Sequence, residues 1–200
     1  MGSLVQIQPP RRHSNLLTIV ERVAWNCAVI GIAIALGLKA EAFLYQRTAE
    51  PPTASDGRAR STSNEVPVAS GTPIGRLVIP RLDVDVVVAE GSSDSVLRRA
   101  VGRVERSASP GERGNIVLAG HRDTFFRPLA EIRKGDLIVL ESGAGEQRYR
   151  VEWTRVVDPK DVLALRQSGY PALTLVTCYP FQYVGSAPLR FVVRARGHES

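Results

Sequence analysis

A long run of apolar residues stands out near the start of the chain. Residues 23–38 contain no charged side chain, Arg22 precedes the run, Lys39 follows it, and apolar residues continue to Tyr45. A helix needs about 20 apolar residues to cross a bilayer, so this run predicts a short span whose end is completed when the Lys39 side chain extends to the interface. Trp25 and Tyr45 lie near the two ends, where interfacial aromatic residues are typical.

Three interpretations of this run compete: an uncleaved signal anchor, a cleaved signal peptide and a buried core helix. The run slightly exceeds the apolar region of a signal peptide, and residues 39–42 (KAEA) form a poor cleavage site. We favour an anchor over residues 23–45 that follows a tail, residues 1–22. The arginines of that tail predict a cytoplasmic N-terminus and an extracytoplasmic location for the rest of the chain, in a single-pass cell-membrane protein.

Residues 46–72 differ sharply from the anchor. They are rich in Pro, Ser, Thr, Ala and charged residues and contain almost no bulky apolar side chain. Such a composition cannot bury enough surface to fold, so we predict a flexible stalk between the membrane and a folded domain at residues 73–197.

Short apolar runs that end at Gly or Pro recur from residue 74 onward. Runs at 74–79, 84–88, 115–119, 137–140, 172–177 and 189–195 read as strands, and residues 94–100 and 125–132 read as short helices. Tyr149, Val151 and Trp153 alternate with polar residues, which predicts a strand with one solvated face. About seven or eight strands with two or three short helices and no βαβ repeat favour a mainly β fold, a closed or nearly closed barrel.

Charge and cysteine content exclude two classes of protein. The net charge is +6, but the basic residues are scattered among acidic ones and form no run typical of nucleic-acid binding. The two cysteines, Cys27 and Cys178, lie in the apolar run and in the predicted barrel, so a disulfide between them is not expected. We therefore expect no nucleic-acid partner and no disulfide framework.

Three residues of the predicted barrel are candidates for thiol chemistry. Cys178 ends a strand just before Pro180, which cannot continue a paired central strand. His121 follows another strand, and a nearby histidine can take and return the proton of a cysteine nucleophile. Arg190 lies at the start of the last strand, where a permanently charged donor can stabilise an oxyanion. Taken singly, each residue also fits a structural or surface role.

Metal sites and glycine-rich phosphate-binding loops are not supported by the pattern. One Cys and one His in the domain cannot form a zinc tetrad without carboxylates, and no glycine-rich phosphate loop is present.

The motifs around these residues resemble those of sortases. The stretch TLVTC at 174–178, followed by Tyr-Pro-Phe and by the arginine in SAPLRF, is similar to the sortase signature TLxTC…R. The stretch LAGHRDTFF at 118–126 resembles the sortase histidine motif, and the flanking residues look most like class D. The resemblance covers residues 74–196 and implies an eight-stranded β-barrel.

The resemblance also implies a mechanism. Sortases cleave an LPxTG-like sorting motif of secreted proteins through a thioester and pass the acyl group to an amine, usually from a cell-wall precursor. Cys178 would be the nucleophile, His121 the acid and base, and Arg190 the oxyanion stabiliser, while Thr177 would bind or support substrate. No cofactor is implied, and we expect a partly apolar groove near Leu118, Val176 and Val184. A thiol hydrolase with the same residues, and an inactive surface β-barrel module, remain alternatives.

Overall fold

The computed structural model describes residues 13–49, 68–183 and 185–197. The chain divides into two compact units, of which the first ends at Glu41 and the second begins at Ala42. Helix α1 spans His13–Thr48. Its part Ile19–Thr48 contains an 18-residue window with a mean hydropathy of 2.0 and is long and apolar enough to cross a membrane. The helix extends beyond both ends of the predicted span of 23–45.

The second unit contains a closed barrel of eight strands within the described residues. Its order is β1-β2-β3-β4-β7-β8-β6-β5, with parallel pairing only in β2–β3 and β4–β7. This confirms the predicted fold class. The strands are β1 (Pro73–Ile79), β2 (Val84–Glu90), β3 (Val101–Arg103), β4 (Asn115–Ala119), β5 (Leu137–Ser142), β6 (Gly145–Val157), β7 (Ala172–Tyr179) and β8 (Leu189–Gly197).

Alternate residues of each strand fill the inside of the barrel. On β4, β7 and β8 the buried core takes Ile116, Leu118, Leu173, Leu175, Val193 and Ala195. Because successive strand side chains point to opposite faces, the residues between them face the outside of the barrel. This parity determines which side chains of β4, β7 and β8 lie together on the outer surface.

The short helices differ from the predicted ones. Helix α2 covers only Asp94–Leu97, and its cap residue Ser93 makes no side-chain capping bond. The segment predicted to be helical at 125–132 contains instead the 3₁₀ helix Arg127–Glu131, with a proline in its first turn. The fully buried ring there belongs to Phe126 and not to Phe125, because a 3₁₀ turn does not keep the predicted α-helical face.

The predicted alternation on β6 is only partly correct. Tyr149 and Val151 are each 3% exposed and lie in the core. The pairing of β6 with β8 then shifts by one residue between Val151 and Trp153. A bulge of this kind changes the face on which the following side chains lie, so Trp153 does not continue the buried row.

The last turns of α1 belong to the barrel unit. Tyr45 donates its hydroxyl to the carbonyl of Gly71 at 2.8 Å and packs against the small apolar cluster near α2. The amide of Gln46 accepts from the Val87 N–H and donates to the Arg99 carbonyl, both at 2.8 Å. One end of the predicted stalk at 46–72 is therefore hydrogen-bonded to the barrel. Residues 50–67 lie outside the described residues, and the stalk stays a prediction.

Candidate active site

The three candidate residues come from adjacent strands at one end of the barrel. Cys178 of β7 lies directly opposite Arg190 of β8 in the antiparallel register. On the other side of β7, Ala119 of β4 pairs with Val176, so His121, two residues further, extends to the level of Cys178. Adjacent strands lie about 4.8 Å apart, which brings the three residues into one row across the strand ends.

Cys178 and Arg190 share the outer face of the barrel. Leu173 and Leu175 of β7 face inward, so Cys178, which lies an odd number of residues further along the strand, faces outward. Val193 of β8 also faces inward, so Arg190, three residues before it, faces outward. The row is half-buried, since Cys178, His121 and Arg190 are all of intermediate exposure. Cys178 is a free thiol, as is Cys27. The arrangement brings a thiol, an imidazole and a guanidinium around one accessible point.

An aromatic cluster fixes the strand ends beneath this row. Tyr179, Phe181 and Phe191 pack with ring centroids 5.2–6.3 Å apart, and Phe181 and Phe191 also contact the main core. Aromatic pairs of this geometry contribute about 0.5–1.5 kcal/mol beyond the burial of area. The cluster therefore holds the end of β7, which carries the thiol, against the start of β8, which carries the arginine.

The turn that carries His121 is held by two contacts. The hydroxyl of Thr177, only 3% exposed, donates to the carbonyl of Gly120 at 2.7 Å. A side chain at position 120 would meet the ring of the fully buried Phe126 at 2.7 Å, so only glycine fits there. The backbone of Phe126 then donates to the His121 carbonyl at 3.1 Å and closes the turn.

Thr177 lies on the inner face of β7, and the substrate-binding role expected for it stays a prediction. Its side chain points away from the face of Cys178, and its hydroxyl is already bonded to Gly120. The geometry therefore gives Thr177 a contact that positions the histidine turn.

The guanidinium of Arg190 is oriented by its own loop. Its Nη1 donates to the carbonyls of Ala187 and Leu189 at 3.2 and 2.9 Å. The remaining nitrogens make no hydrogen bond within the described part of the chain. These donors are available to an oxygen that becomes negative beside Cys178.

Arg122 is a site residue that sequence reasoning did not single out. One of its nitrogens, Nη2, donates to the carbonyls of Tyr183 and Gly185 at 2.7 and 3.0 Å, and the guanidinium lies 5.7 Å from the Tyr183 ring centre. Its Nη1 is buried without a partner among the described residues. Arg122 thus links the histidine turn to the connection between β7 and β8. Its position directly after His121 was the available signal.

A buried polar network further along the same face was also missed. Arg194, 8% exposed, donates to the hydroxyl of Thr174 at 2.9 Å, and that hydroxyl donates to Asn115 at 2.7 Å. The Asn115 amide in turn donates to the carbonyls of Leu165 and Arg166. The network attaches the connection between β6 and β7 to the outer face of β4, β7 and β8. The available signal in the sequence was that these polar residues occupy the strand positions that alternate with the buried core residues.

Between the catalytic row and this network the outer face is apolar. Ala119, Val176 and Val192 form the level directly below the row. The predicted groove residue Val176 lies at this level. The prediction that Leu118 lies near the groove is wrong, because Leu118 is fully buried on the inner face. Val184 lies outside the described residues. The surface next to Cys178 therefore favours an apolar ligand segment.

A metal site is not found in the part of the chain that the structure describes. No three His, Cys, Asp or Glu side chains come together there. The expectation of chemistry without a cofactor stays a prediction.

Comparisons with known proteins agree with the geometry. The family model "Sortase domain" matches residues 77–198. Sortase D of Bacillus subtilis (strain 168) is 38% identical over 151 residues, which cover 72% of this chain and 76% of that protein. Sortase A of Bacillus anthracis is 30% identical over 109 residues, covering 52% of this chain and 51% of that protein. The structure of a Clostridium perfringens Sortase D5 transpeptidase aligns with a TM-score of 0.60 at 30% identity, covering 66% of this chain and 82% of that one.

Proposed function

Because the chain belongs to the sortase family, we propose that it is a membrane-anchored cysteine transpeptidase that joins secreted proteins to an amine. The acyl donor is a protein with an LPxTG-like sorting motif. The acceptor is the amine of a cell-wall precursor or a similar molecule. The helix α1 is the anchor, with the N-terminus in the cytoplasm and the barrel outside the cell membrane.

The proposal rests on one observation above all, the row formed by Cys178, Arg190 and His121. In the proposed first step, the Cys178 thiolate attacks the carbonyl carbon of the scissile peptide bond. Negative charge then develops on the carbonyl oxygen, and the free guanidinium donors of Arg190 stabilise it. His121 gives a proton to the departing amine, and the thioester remains on Cys178.

The second step reverses the roles. An incoming amine loses a proton to His121 as it attacks the thioester carbonyl, and the thiolate leaves. Transfer to the amine competes with attack by water. The apolar surface at Ala119 and Val176 supports transfer, because it favours an apolar peptide segment and reduces the water beside the thioester.

The test uses the full chain in detergent micelles with a library of LPxTG-type peptides and a primary amine. We expect an amine-joined product, identified by mass spectrometry, that is lost in Cys178→Ala. Cys27→Ala is the matched control, because it removes the other thiol and leaves the row intact. If hydrolysed peptide is the sole product at every amine concentration, the site is a thiol hydrolase. If no peptide reacts and Cys178 also resists alkylation, the enzyme proposal fails.

A further inference from the structure

A cavity lies at the other end of the barrel from the catalytic row, which is the row formed by Cys178, His121 and Arg190. It has a volume of about 380 Å³ and is lined by Lys134, Gly135, Arg150, Val151, Glu152, Arg196 and Gly197. Arg196 lies six residues beyond Arg190 on β8, which corresponds to about 20 Å along the strand. The cavity is therefore separate from the row that holds Cys178. Its volume falls within the range of small-molecule sites.

The charges that line this cavity are unbalanced. Three cationic side chains and one carboxylate line it, which gives a net charge of +2. The carboxylate of Glu152 is engaged by Arg196 at 2.7 Å. Arg150 donates to the carbonyl of Gly135, and neither Arg150 nor Lys134 pairs with a carboxylate among the described residues. Two cations therefore face the cavity without a neutralising partner.

The strand register places two of these cations side by side. Arg150 of β6 lies directly opposite Arg196 of β8. Side chains in such pairs start about 5 Å apart, and like charges placed there repel each other. The buried Arg194 adds a further cation two residues along β8, on the same face. A bound anion would reduce this repulsion between the two guanidinium groups.

The cavity is also held in shape before any ligand binds. The ring of Tyr170 lies 3.9 Å from the Arg196 guanidinium and 5.9 Å from that of Arg194, so it supports both cations on one side. The Tyr170 hydroxyl donates to Glu152 at 3.4 Å and fixes the carboxylate that orients Arg196. At Gly135 a side chain would meet nothing within 4 Å, which leaves the entrance open beside Arg150.

We propose that this cavity binds a phosphate-bearing anion, with Arg150 and Arg196 as the hydrogen-bonding cations and Lys134 as an additional charge at the rim. Guanidinium groups match phosphate oxygens through paired donors, and a lysine binds phosphate as a point charge. The site is independent of the proposed transpeptidation, since none of its residues lies in the catalytic row.

The test measures pyrophosphate binding to the full chain in zwitterionic detergent micelles by calorimetry, with sodium chloride at matched ionic strength as the reference. We expect saturable binding that weakens at least tenfold in Arg150→Gln and in Lys134→Gln. Arg155→Gln is the matched control, because it removes the same charge from an exposed position of β6 outside the cavity and is expected to keep the wild-type affinity.

Two further arms identify the source of the phosphate. Displacement of pyrophosphate by soluble polyphosphate assigns the site to a phosphate polymer, and displacement by phosphatidylglycerol in the micelles assigns it to a lipid headgroup. Either result supports the site. Heat no greater than in the chloride reference, or equal loss in Arg155→Gln and Arg150→Gln, overturns the proposal whatever the peptide reaction shows.

Discussion

The contact between Thr177 and Gly120 predicts a link between stability and catalysis. Thr177→Val keeps the shape of the side chain but removes the hydroxyl that donates to the Gly120 carbonyl at 2.7 Å. Both residues are buried, so the carbonyl loses a donor that water does not replace. Removing one partner of a buried hydrogen bond costs about 1–3 kcal/mol in free energy of unfolding. For a domain of this size, that corresponds to a fall in Tm of about 2–4 °C for each kcal/mol.

The matched variant is Thr177→Ser, which keeps the hydroxyl and loses one methyl group. A buried methyl contributes about 1 kcal/mol, so both variants lose stability by similar amounts. Their catalysis is expected to differ. Only Thr177→Val releases the turn that carries His121, and a displacement of about 1 Å at a catalytic group reduces the rate by up to about 100-fold.

The assay combines thermal unfolding with the rate of peptide transfer to an amine, both on the full chain in micelles. We expect Thr177→Ser to retain most of the transfer rate and Thr177→Val to lose at least tenfold, while alkylation of Cys178 proceeds in both. Equal transfer rates in the two variants would refute a positioning role for this hydrogen bond. A Thr177→Val protein with wild-type Tm would refute the estimate of its energy.

Three other changes test the structure further. Gln46→Ala removes both hydrogen bonds between the end of α1 and the barrel backbone. It is expected to lower the free energy of unfolding of the barrel by about 2 kcal/mol in urea denaturation. An unchanged free energy of unfolding would show that these two bonds do not stabilise the barrel. Gly120→Ala places a methyl group against the Phe126 ring and is expected to lower the free energy of unfolding by about 1–3 kcal/mol and to reduce the rate of peptide transfer to the amine. In a double-mutant cycle, Phe126→Leu is expected to restore part of both losses. Asp136 accepts two bonds from Arg81 that lower the pKa of its carboxyl group. This stabilisation is present above the pKa that the carboxyl group has in the unfolded chain, and it is lost as the pH falls through the lower pKa of the folded state. Asp136→Asn is therefore expected to flatten the loss of Tm on the acid side of the ordinary carboxyl pKa, and an unchanged acid profile would contradict this.

The sequence pattern predicted the barrel because its strands end at clear signals. Glycine and proline residues flank the apolar runs. The alternation of Leu173, Leu175 and Val193 with their neighbours defines an inner face, which the structure confirms. The pattern failed where local geometry departs from the regular period. The bulge before Trp153 and the 3₁₀ helix next to Phe126 change side-chain direction without any change in hydrophobicity.

The candidate site was accessible to sequence reasoning only in part. The motifs around His121, Cys178 and Arg190 identify them, but their alignment in one row depends on strand pairings between residues far apart in the chain. The role of a polar residue in a strand depends on which face of the barrel its side chain occupies. Thr177 and Thr174 lie three residues apart, and only the register shows that one bonds to Gly120 inside and the other to Arg194 outside.

The strand β8 is the last of the eight in chain order, yet it lies between β6 and β7 in the barrel. Synthesis proceeds from the N-terminus, so the first seven strands emerge while both neighbours of β8 still have an unpaired edge. The arginine that faces the thiol is carried by this same strand. Closure of the barrel and completion of the catalytic row are therefore one event. A nascent chain that has already released Cys178 does not yet hold Arg190 opposite it, so the proposed site is incomplete until the fold is complete.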